Sequence, residues 1–478
     1  MKLVFNIVFL LNLLTFSQTH YPEINLEIKN GNFSKVARII DSVVAFGELS
    51  SLEIYNLQFQ KELLNRIKRD FRRNEQEIVT YLTKYYKELN ESMLRNWEIN
   101  KSLEMRIIDG ERKYFANAGP NLFRINKEAK KVKESVDGSS INKLDEFLSM
   151  HIPAIVNESK QQKSKVIHPV KMNVNYILEV DADAVPPGEI IRCWLPFPRE
   201  GNERQKYIKL IKVNTPEYII ADNRYYQRSL YLEKEAVKGE KTVFEMKFEY
   251  TSYACFNNIN FDGHSSITII DELKEFVMER PPHILFSEEI KTLSNKIVGK
   301  EKNPIKKARV IFEWVDQNIP WASALEYSTI PNIPLYALEN MHGDCGIQTL
   351  LFMTFCRYNG IPAKWQSGWM MHPSGINLHD WCEIYIDQYG WIPVDQSFGI
   401  KNLSEDKLRY FYLGNTDAYR LIVNDDYSTP LFPFKIFPRS ETVDFQRGEV
   451  EWKGGNLYFD KWDYNMKVTY LTEDEMEK

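Results

Sequence analysis

The chain has 478 residues, of which 43% are hydrophobic, and a formal net charge of −5 at pH 7. This length exceeds what one hydrophobic core usually organises, so we expect several domains. Basic clusters at residues 66–73 and 127–133 are interspersed with acidic residues on helical spacing, which is typical of solvated helix faces and argues against nucleic acid as a partner.

Residues 1–17 have the composition of a secretory signal peptide. Lys2 stands near the start, an apolar stretch follows, and Thr15, Phe16 and Ser17 close the segment. The stretch is too short and too polar to span a membrane, and no later segment is long enough to do so. We therefore predict a secreted or periplasmic protein without a membrane span.

Residues 18–138 are predicted to form a mainly helical region. Between residues 53 and 97, apolar side chains recur at steps of three and four residues, which indicates one long amphipathic helix or a helix pair. Farther on, Asp109-Gly110 predicts the turn of a β-hairpin. The polar stretch after this region, residues 139–167, is expected to be a surface linker.

Residues 168–256 have the pattern of a β-sandwich domain. Val174, Tyr176, Leu178 and Val180 alternate with other residues, and turns rich in Pro and Gly separate the short strands. A further small β element is expected at residues 436–478, where aromatic residues lie on strand-like runs between glycine turns. The simplest role of the first of these regions is that of a scaffold.

The region between them, residues 265–435, contains a segment suited to a nucleophile. The sequence Gly-Asp-Cys-Gly at residues 343–346 precedes an almost wholly apolar run that stops at residues 359–360, Asn-Gly. This pattern predicts a buried helix with Asp344 as its N-cap and Cys345 in its first turn. The positive end of the helix dipole and the unpaired amide groups there favour a thiolate.

A hairpin farther along the chain is predicted to bring a histidine and an aspartate together. Alternation along residues 378–386 places His379 and Trp381 on one face of a strand, and residues 388–390 form a turn. The returning strand carries Asp395 back to within a residue or two of His379, close enough for a carboxylate to reach a ring nitrogen.

Cys345, His379 and Asp395 together are what a thiol acyl-transfer enzyme needs. The thiolate attacks, an imidazole takes and returns its proton, and a carboxylate holds the imidazole in the correct tautomer. Taken singly, each residue has a structural alternative: a small buried cysteine, a satisfied strand histidine and an aspartate that caps a turn. Their order and their elements favour catalysis.

Three segments, residues 343–369, 378–386 and 391–399, resemble the motifs of the transglutaminase-like superfamily. The resemblance implies an α+β fold with a papain-like core in which Cys345, His379 and Asp395 form the catalytic triad. It also implies a protein or peptide substrate and an acyl-enzyme thioester made from an amide, which is resolved by water or by an amine.

Hydrolysis, as in a peptidase or amidase, is the activity that we expect. The calcium-dependent animal enzymes of the superfamily carry Gly-Gln-Cys-Trp at the nucleophile, whereas residues 343–346 are Gly-Asp-Cys-Gly, as in many bacterial relatives. This departure weighs against protein cross-linking by a protein-glutamine γ-glutamyltransferase. That activity stays open as an alternative, as does an inactive transglutaminase-like binding module.

The oxyanion partner has two candidates. The resemblance implies an upstream Trp or Gln in this role, which Trp321 could fill, whereas the alternative for Trp321 is an aromatic side chain packed in the core. The backbone amide of Cys345 is the safer donor.

The sequence indicates no cofactor and no metal. There is no calcium loop and no paired metal-ligand motif. The five cysteines leave at least one unpaired if disulfides form, and the pairing of the other four is open. Cys356 and Cys382 are expected to be inert buried thiols. Nothing in the sequence indicates an oligomeric state.

Overall fold

The computed structural model describes residues 22–138 and 142–471, so the predicted signal peptide, residues 1–17, lies outside the described residues. The chain divides into two compact units. The first comprises Met1–Ser140, Arg280–Leu285 and Asn318–Ile347, and the second comprises Ile141–Glu279, Phe286–Gln317 and Gln348–Lys478. Among the described residues, no helix has both the length and the apolar character that crossing a bilayer requires.

The N-terminal region is mainly helical, as predicted. Its elements are α1 (Pro22–Lys29), α2 (Phe33–Phe46), α3 (Ser51–Asp70), α4 (Glu75–Leu82), α5 (Glu91–Ile99), β1 (Met105–Ile108), β2 (Glu111–Tyr114), α6 (Ala118–Ile125) and α7 (Lys127–Asp137). The expectation of one long helix or a helix pair over residues 53–97 was wrong, because Asn74 and Asn90 each cap a new helix with their side chains. The hairpin at Asp109-Gly110 is confirmed by the pairing of β1 with β2.

The segment expected to be a linker, residues 139–167, contains a helix instead. This helix, α8 (Lys143–Ser159), runs for 17 residues. Leu148, Ile152, Ile155 and Val156 recur at helical spacing and are buried, so α8 has an apolar face that a solvated linker would lack.

The second unit continues with strands, which are followed by helices. They are β3 (Val166–Val180), β4 (Ile190–Pro196), β5 (Gln205–Val213), β6 (Ile219–Ile220), β7 (Ser229–Glu235), β8 (Thr242–Cys255), a 3₁₀ helix (Asp271–Val277), α9 (Glu288–Val298) and α10 (Pro304–Asn318). A 3₁₀ turn (Tyr327–Thr329) and α11 (Ile333–Asn340) then follow in the first unit.

The remaining elements contain the predicted site. They are α12 (Cys345–Tyr358), β9 (Ala363–His372), β10 (Gly375–Ile386), β11 (Gly390–Val394), α13 (Asp406–Arg409), β12 (Arg420–Asn424), β13 (Glu449–Trp452), β14 (Gly455–Leu457) and β15 (Trp462–Leu471). The strands β9 to β12 form one antiparallel sheet in the order β11-β10-β9-β12.

Two other antiparallel sheets, ordered β15-β3-β8-β5 and β14-β13-β4-β7-β6, contribute side chains to one hydrophobic core. The predicted alternation in β3 is confirmed, since Val174, Tyr176, Leu178 and Val180 are all buried there. The C-terminal strands do not form an element of their own. Instead, β15 pairs with β3 and β13 pairs with β4, so strands at both ends of the second unit complete the same two sheets.

Candidate active site

The predicted nucleophile lies at the helix start that the sequence pattern indicated. Cys345 is the first residue of α12, and its exposed fraction is 9%. The side chain of Asp344 accepts a hydrogen bond of 3.2 Å from the backbone N–H of Ile347, which confirms Asp344 as the N-cap. The helix ends before Gly360, whose φ of 75° is in the left-handed region that favours glycine. Cys345 therefore lies in the first turn of a capped helix, at the positive end of its dipole.

Asp344 is itself a buried carboxyl group. Tyr327 donates its hydroxyl to Asp344 Oδ1 at 2.7 Å. Burial raises the pKa of Asp344 to about 6, although the hydrogen bonds from Tyr327 and Ile347 act in the opposite direction. At neutral pH this carboxyl is largely ionised, and it stands beside the thiol of Cys345 in sequence.

Trp321 is not packed in the core, so that alternative was wrong. The residue is 42% exposed, and the Arg124 guanidinium lies over its ring at 5.0 Å from the centroid. Trp321 forms an isolated parallel bridge with Gly343, two residues before Cys345. Its role toward an oxyanion stays a prediction.

The structure brings His379 and Asp395 together. In the β10–β11 hairpin Cys382 pairs with Val394, so the register continues with Asp395 opposite Trp381, two residues from His379. His379 Nε2 and Asp395 Oδ2 are 2.7 Å apart, and both side chains are buried. The predicted proximity of this histidine and this aspartate is confirmed.

Asp395 is held in its ionised form. Burial acts to raise the pKa of its carboxyl, but His379, Arg420 and the Phe398 N–H outweigh burial, and the net pKa is lowered. Arg420 places Nη2 2.9 Å from Asp395 Oδ2, and the Phe398 N–H donates to Oδ1 at 3.0 Å. An ionised Asp395 can fix both the tautomer and the orientation of His379.

The charges that support this pair were not predicted from the sequence. Arg420 also lies 3.2 Å from Asp417 Oδ2, and Asp417 Oδ1 lies 3.1 Å from Nε2 of His372. Tyr412 donates its hydroxyl to Asp417 at 2.9 Å. These side chains are buried, and the ionised ones among them, Asp417 and Arg420, alternate in charge with Asp395. Arg420 and Asp417 follow Asp395 by more than twenty residues without a motif, so no pattern in the sequence could have revealed them.

All five cysteines lie among the described residues, are buried and form no disulfide. Burial raises the pKa of Cys193, Cys356 and Cys382 well above that of an ordinary thiol, and it also raises the pKa of Cys255. This finding agrees with the expectation that Cys356 and Cys382 are inert. Among the described residues, no group of three or more His, Cys, Asp or Glu side chains is arranged to hold a metal ion.

The three predicted catalytic residues are divided between the two compact units. Cys345 belongs to the first, whereas His379 and Asp395 belong to the second. The helix α12 begins with three residues in the first unit and continues through the second. The histidine and aspartate are therefore an observed pair, and the approach of the Cys345 sulfur to that pair stays a prediction.

Comparison with known proteins finds a family whose pattern part of this chain matches. Residues 291–396 match the Transglutaminase-like superfamily. An uncharacterized protein of Haemophilus influenzae is 23% identical over 278 residues, which cover 50% of this chain and 75% of that protein.

Two solved structures resemble the chain more loosely. A protein from Cytophaga hutchinsonii, provisionally named a cysteine protease, is 15% identical with a TM-score of 0.42, and the match covers 65% of this chain and 93% of that one. The periplasmic domain of TgpA from Pseudomonas aeruginosa is 12% identical with a TM-score of 0.25, over 49% of this chain and 89% of that one. At such distances the activity of a relative does not transfer to this chain.

Proposed function

Because residues 291–396 of this chain match the transglutaminase-like superfamily, we propose that the protein is a thiol hydrolase of amide or peptide bonds that acts through an acyl-enzyme on Cys345. The observation that carries the proposal is the buried hydrogen bond between His379 and Asp395. It uses Nε2 of the imidazole, which leaves Nδ1 to exchange a proton with a thiol.

The mechanism begins with attack of the Cys345 sulfur on an amide carbonyl carbon, while the thiol proton passes to His379 Nδ1. The resulting oxyanion is held by the backbone N–H of Cys345, with the Trp321 indole as a further candidate donor. His379 then gives its proton to the leaving amine as the C–N bond breaks. The product of this half-reaction is a thioester on Cys345.

The second half-reaction consumes water. His379 takes a proton from the water molecule as its oxygen attacks the thioester carbonyl, and the C–S bond then breaks. The carboxylic acid product leaves, and the proton returns to the Cys345 sulfur. Asp395 stays ionised throughout, and it stabilises the imidazolium that forms in each half-reaction.

The helix that begins at Cys345 supports this set of roles. One turn into the helix, the Thr349 hydroxyl donates to the backbone carbonyl of Asp380 at 3.4 Å. Asp380 is the residue after His379, and Cys345 and Thr349 are four residues apart, on one face of α12. The body of α12 is thus anchored beside the strand that carries His379.

Two rival functions differ in how the thioester is resolved or in whether it forms at all. A cross-linking enzyme would resolve the thioester with a primary amine, and an inactive module would form no thioester. A binding module also has no use for an imidazole paired with a buried, ionised carboxylate, since burying that charge costs free energy. Hydrolysis needs only water and the residues already named.

The test is alkylation of the protein with iodoacetamide across pH, with the modified cysteine identified by mass spectrometry. We expect preferential capture at Cys345 with an apparent pKa well below about 8.5, the value of an ordinary thiol. Cys345→Ala should abolish turnover of an amide substrate and leave folding nearly intact, with Cys356→Ala as the matched control. Equal labelling of Cys345 and Cys356, or turnover by Cys345→Ala, would refute the proposal.

Hydrolysis and transfer are separated by adding a labelled primary amine to a glutamine-containing peptide and the enzyme. Hydrolysis predicts a new carboxylate on the peptide without the label, and cross-linking predicts incorporation of the label.

Export is the accompanying proposal. The sequence of residues 1–17 supports it, and N-terminal sequencing of the mature protein would test it. The two sheets ordered β15-β3-β8-β5 and β14-β13-β4-β7-β6 are proposed to form a β-sandwich that serves as a scaffold.

A further inference from the structure

The segment that carries Cys345 belongs to the same compact unit as the N-terminal region. Within the superfamily match at residues 291–396, the stretch Asn318–Ile347 groups with Met1–Ser140 rather than with the rest of the match. Sequence patterns assigned no role to the helices of residues 18–138. Two sets of hydrogen bonds within this unit indicate what they do.

The first set connects Asn121 of α6 to Ser323. The Asn121 amide donates to the Ser323 carbonyl at 2.8 Å, and the Ser323 N–H donates to Asn121 Oδ1 at 3.0 Å. The Asn121 side chain is 1% exposed, so water cannot replace these bonds at low cost. The side chain thereby pairs with the backbone as a neighbouring strand would, and it fixes the position of Ser323.

The backbone next to Ser323 in turn holds the backbone that leads to Cys345. The Ala322 N–H donates to the Gly343 carbonyl at 3.0 Å, and the Gly343 N–H donates to the Pro320 carbonyl at 3.2 Å. Gly343 is two residues before Cys345. A displacement of the stretch held by Asn121 is therefore transmitted to the start of α12 through two backbone hydrogen bonds.

The second set begins at Asp70, the last residue of α3. Its Oδ2 accepts a hydrogen bond from the Glu326 N–H at 3.2 Å and another from the Thr329 hydroxyl at 3.0 Å. These two donors flank Tyr327, whose hydroxyl binds Asp344. Since Asp344 caps α12, Asp70 is connected to the nucleophile helix through one short turn.

The burial of Asp70 costs the folded chain stability. Burial, reinforced by the nearby Glu326, raises the pKa of Asp70 to about 7, so the folded chain loses stability as pH rises from the unfolded-state pKa of an aspartate to about 7, and the loss is complete above that pH. An asparagine would accept the same two hydrogen bonds without that penalty.

We propose that Asn121 and Asp70 are positioning residues, through which the N-terminal region sets the geometry and reactivity of Cys345. This inference rests on the proposed function, in which Cys345 is the nucleophile. Asn121 and Asp70 then connect the N-terminal region to the segment that leads to Cys345, so this region is more than an appended module. We expect the reaction rate to depend strongly on the position of Cys345, because a misplacement of about 1 Å at a reacting group can lower a rate by roughly 100-fold.

The experiment compares full-length variants by the rate of Cys345 alkylation with iodoacetamide from pH 5 to 10, and by the urea midpoint of unfolding. We expect Asn121→Ala and Asp70→Ala to lower the alkylation rate constant at pH 7 by about tenfold, with the apparent thiol pKa moved upward. Asp70→Asn should retain the wild-type alkylation rate, since its amide oxygen can accept hydrogen bonds from both the Glu326 N–H and the Thr329 hydroxyl.

Asn126→Ala is the matched control. Asn126 belongs to the same region, but its side chain caps α7 and binds Ser102, without contact to the segment that leads to Cys345. It should lower the urea midpoint and leave the alkylation profile unchanged. If an alanine variant does not fold, Tyr327→Phe removes only the hydroxyl that binds Asp344, and we expect it to slow alkylation several-fold at a nearly unchanged urea midpoint.

The outcomes separate the two proposals. If wild-type Cys345 is activated but Asn121→Ala, Asp70→Ala and Tyr327→Phe all alkylate at the wild-type rate, the positioning role is overturned and the proposed function stands. If wild-type Cys345 titrates as an ordinary thiol, both proposals are wrong. Slower alkylation in Asn126→Ala, to the same degree as in Asn121→Ala, would also overturn the positioning role, because it would show a loss of stability alone.

Discussion

Replacing Arg420 with Met should destabilise the folded protein by about 3 kcal/mol at neutral pH, the lower end of the range for breaking a buried ion pair. The Arg420 side chain is 1% exposed, and it bridges the carboxylates of Asp395 and Asp417, which are 3% and 0% exposed. Without it, two buried carboxylates lose their shared cation. Asp395 keeps His379 as a neighbour, and Asp417 keeps His372. The expected loss of stability is therefore at the lower end of the range.

The pH dependence of this loss follows from the carboxylate pKa values. Arg420 helps to hold the pKa of both Asp395 and Asp417 below the ordinary value of an aspartate. The ionised carboxylates therefore stabilise the folded protein at pH values above the unfolded-state pKa. This stability is lost as pH falls through the folded-state pKa. In Arg420→Met both folded-state values rise. The variant carboxylates are then protonated at a higher pH, and the difference in stability from wild type should narrow on acidification.

The assay is urea unfolding of wild type and Arg420→Met at pH 7.5 and at pH 4.5. Adding Asp417→Asn to the variant should recover about 1–2 kcal/mol at pH 7.5, since it removes one unpaired buried charge. Arg73→Met is the control: its i,i+4 pair with Glu77 is exposed, so the loss should stay at about 0.3–0.5 kcal/mol. A loss below about 1 kcal/mol in Arg420→Met, or a loss that does not change with pH, would refute this account of the network.

Three further substitutions test neighbouring parts of the molecule. Asp395→Asn should lower kcat strongly but incompletely, because His379 then loses its tautomer partner while Cys345 is unchanged; wild-type kcat in this variant would contradict the role. Asp344→Asn keeps an N-cap but removes a negative charge next to Cys345. The apparent pKa of the Cys345 thiol, measured by alkylation, should therefore fall, and a rise would contradict this effect of the charge. Lys435→Met should cost about 1–3 kcal/mol in urea unfolding. The carboxylates of Glu449 and Glu451 lose their shared lysine but keep Arg439 and Arg192 as partners, and a cost of about 5 kcal/mol would show that these arginines do not compensate.

Local patterns predicted the elements that carry the candidate residues. The apolar run after Cys345, the stop at Gly360 and the cap at Asp344 define α12 without reference to the rest of the chain. The hairpin register likewise follows from strand alternation and turn position, and it places Asp395 near His379. Both depend on interactions within about twenty residues, which periodicity and capping rules describe.

The sequence predictions failed where local patterns were weak or where long-range packing determined the structure. Polar composition hid the apolar face of α8, so residues 139–167 were expected to be a linker. The C-terminal strands were expected to form their own element, but the backbone groups of β15 find their partners in β3, nearly three hundred residues earlier. Strand composition indicates that a strand forms, but it does not indicate which distant strand pairs with it.

The sequence by itself determined three segments that resemble the motifs of one superfamily, a capped helix that begins at Cys345 and a hairpin that joins His379 to Asp395, because each of these is specified by residues close together in the chain. Only the tertiary structure decided that Arg420 and Asp417 extend the pair into a buried charge network, and that the segment leading to Cys345 is held by Asn121 and Asp70. The physical reason is that burying a charge or a polar side chain requires partners at close range in space. Folding supplies those partners from anywhere in the chain.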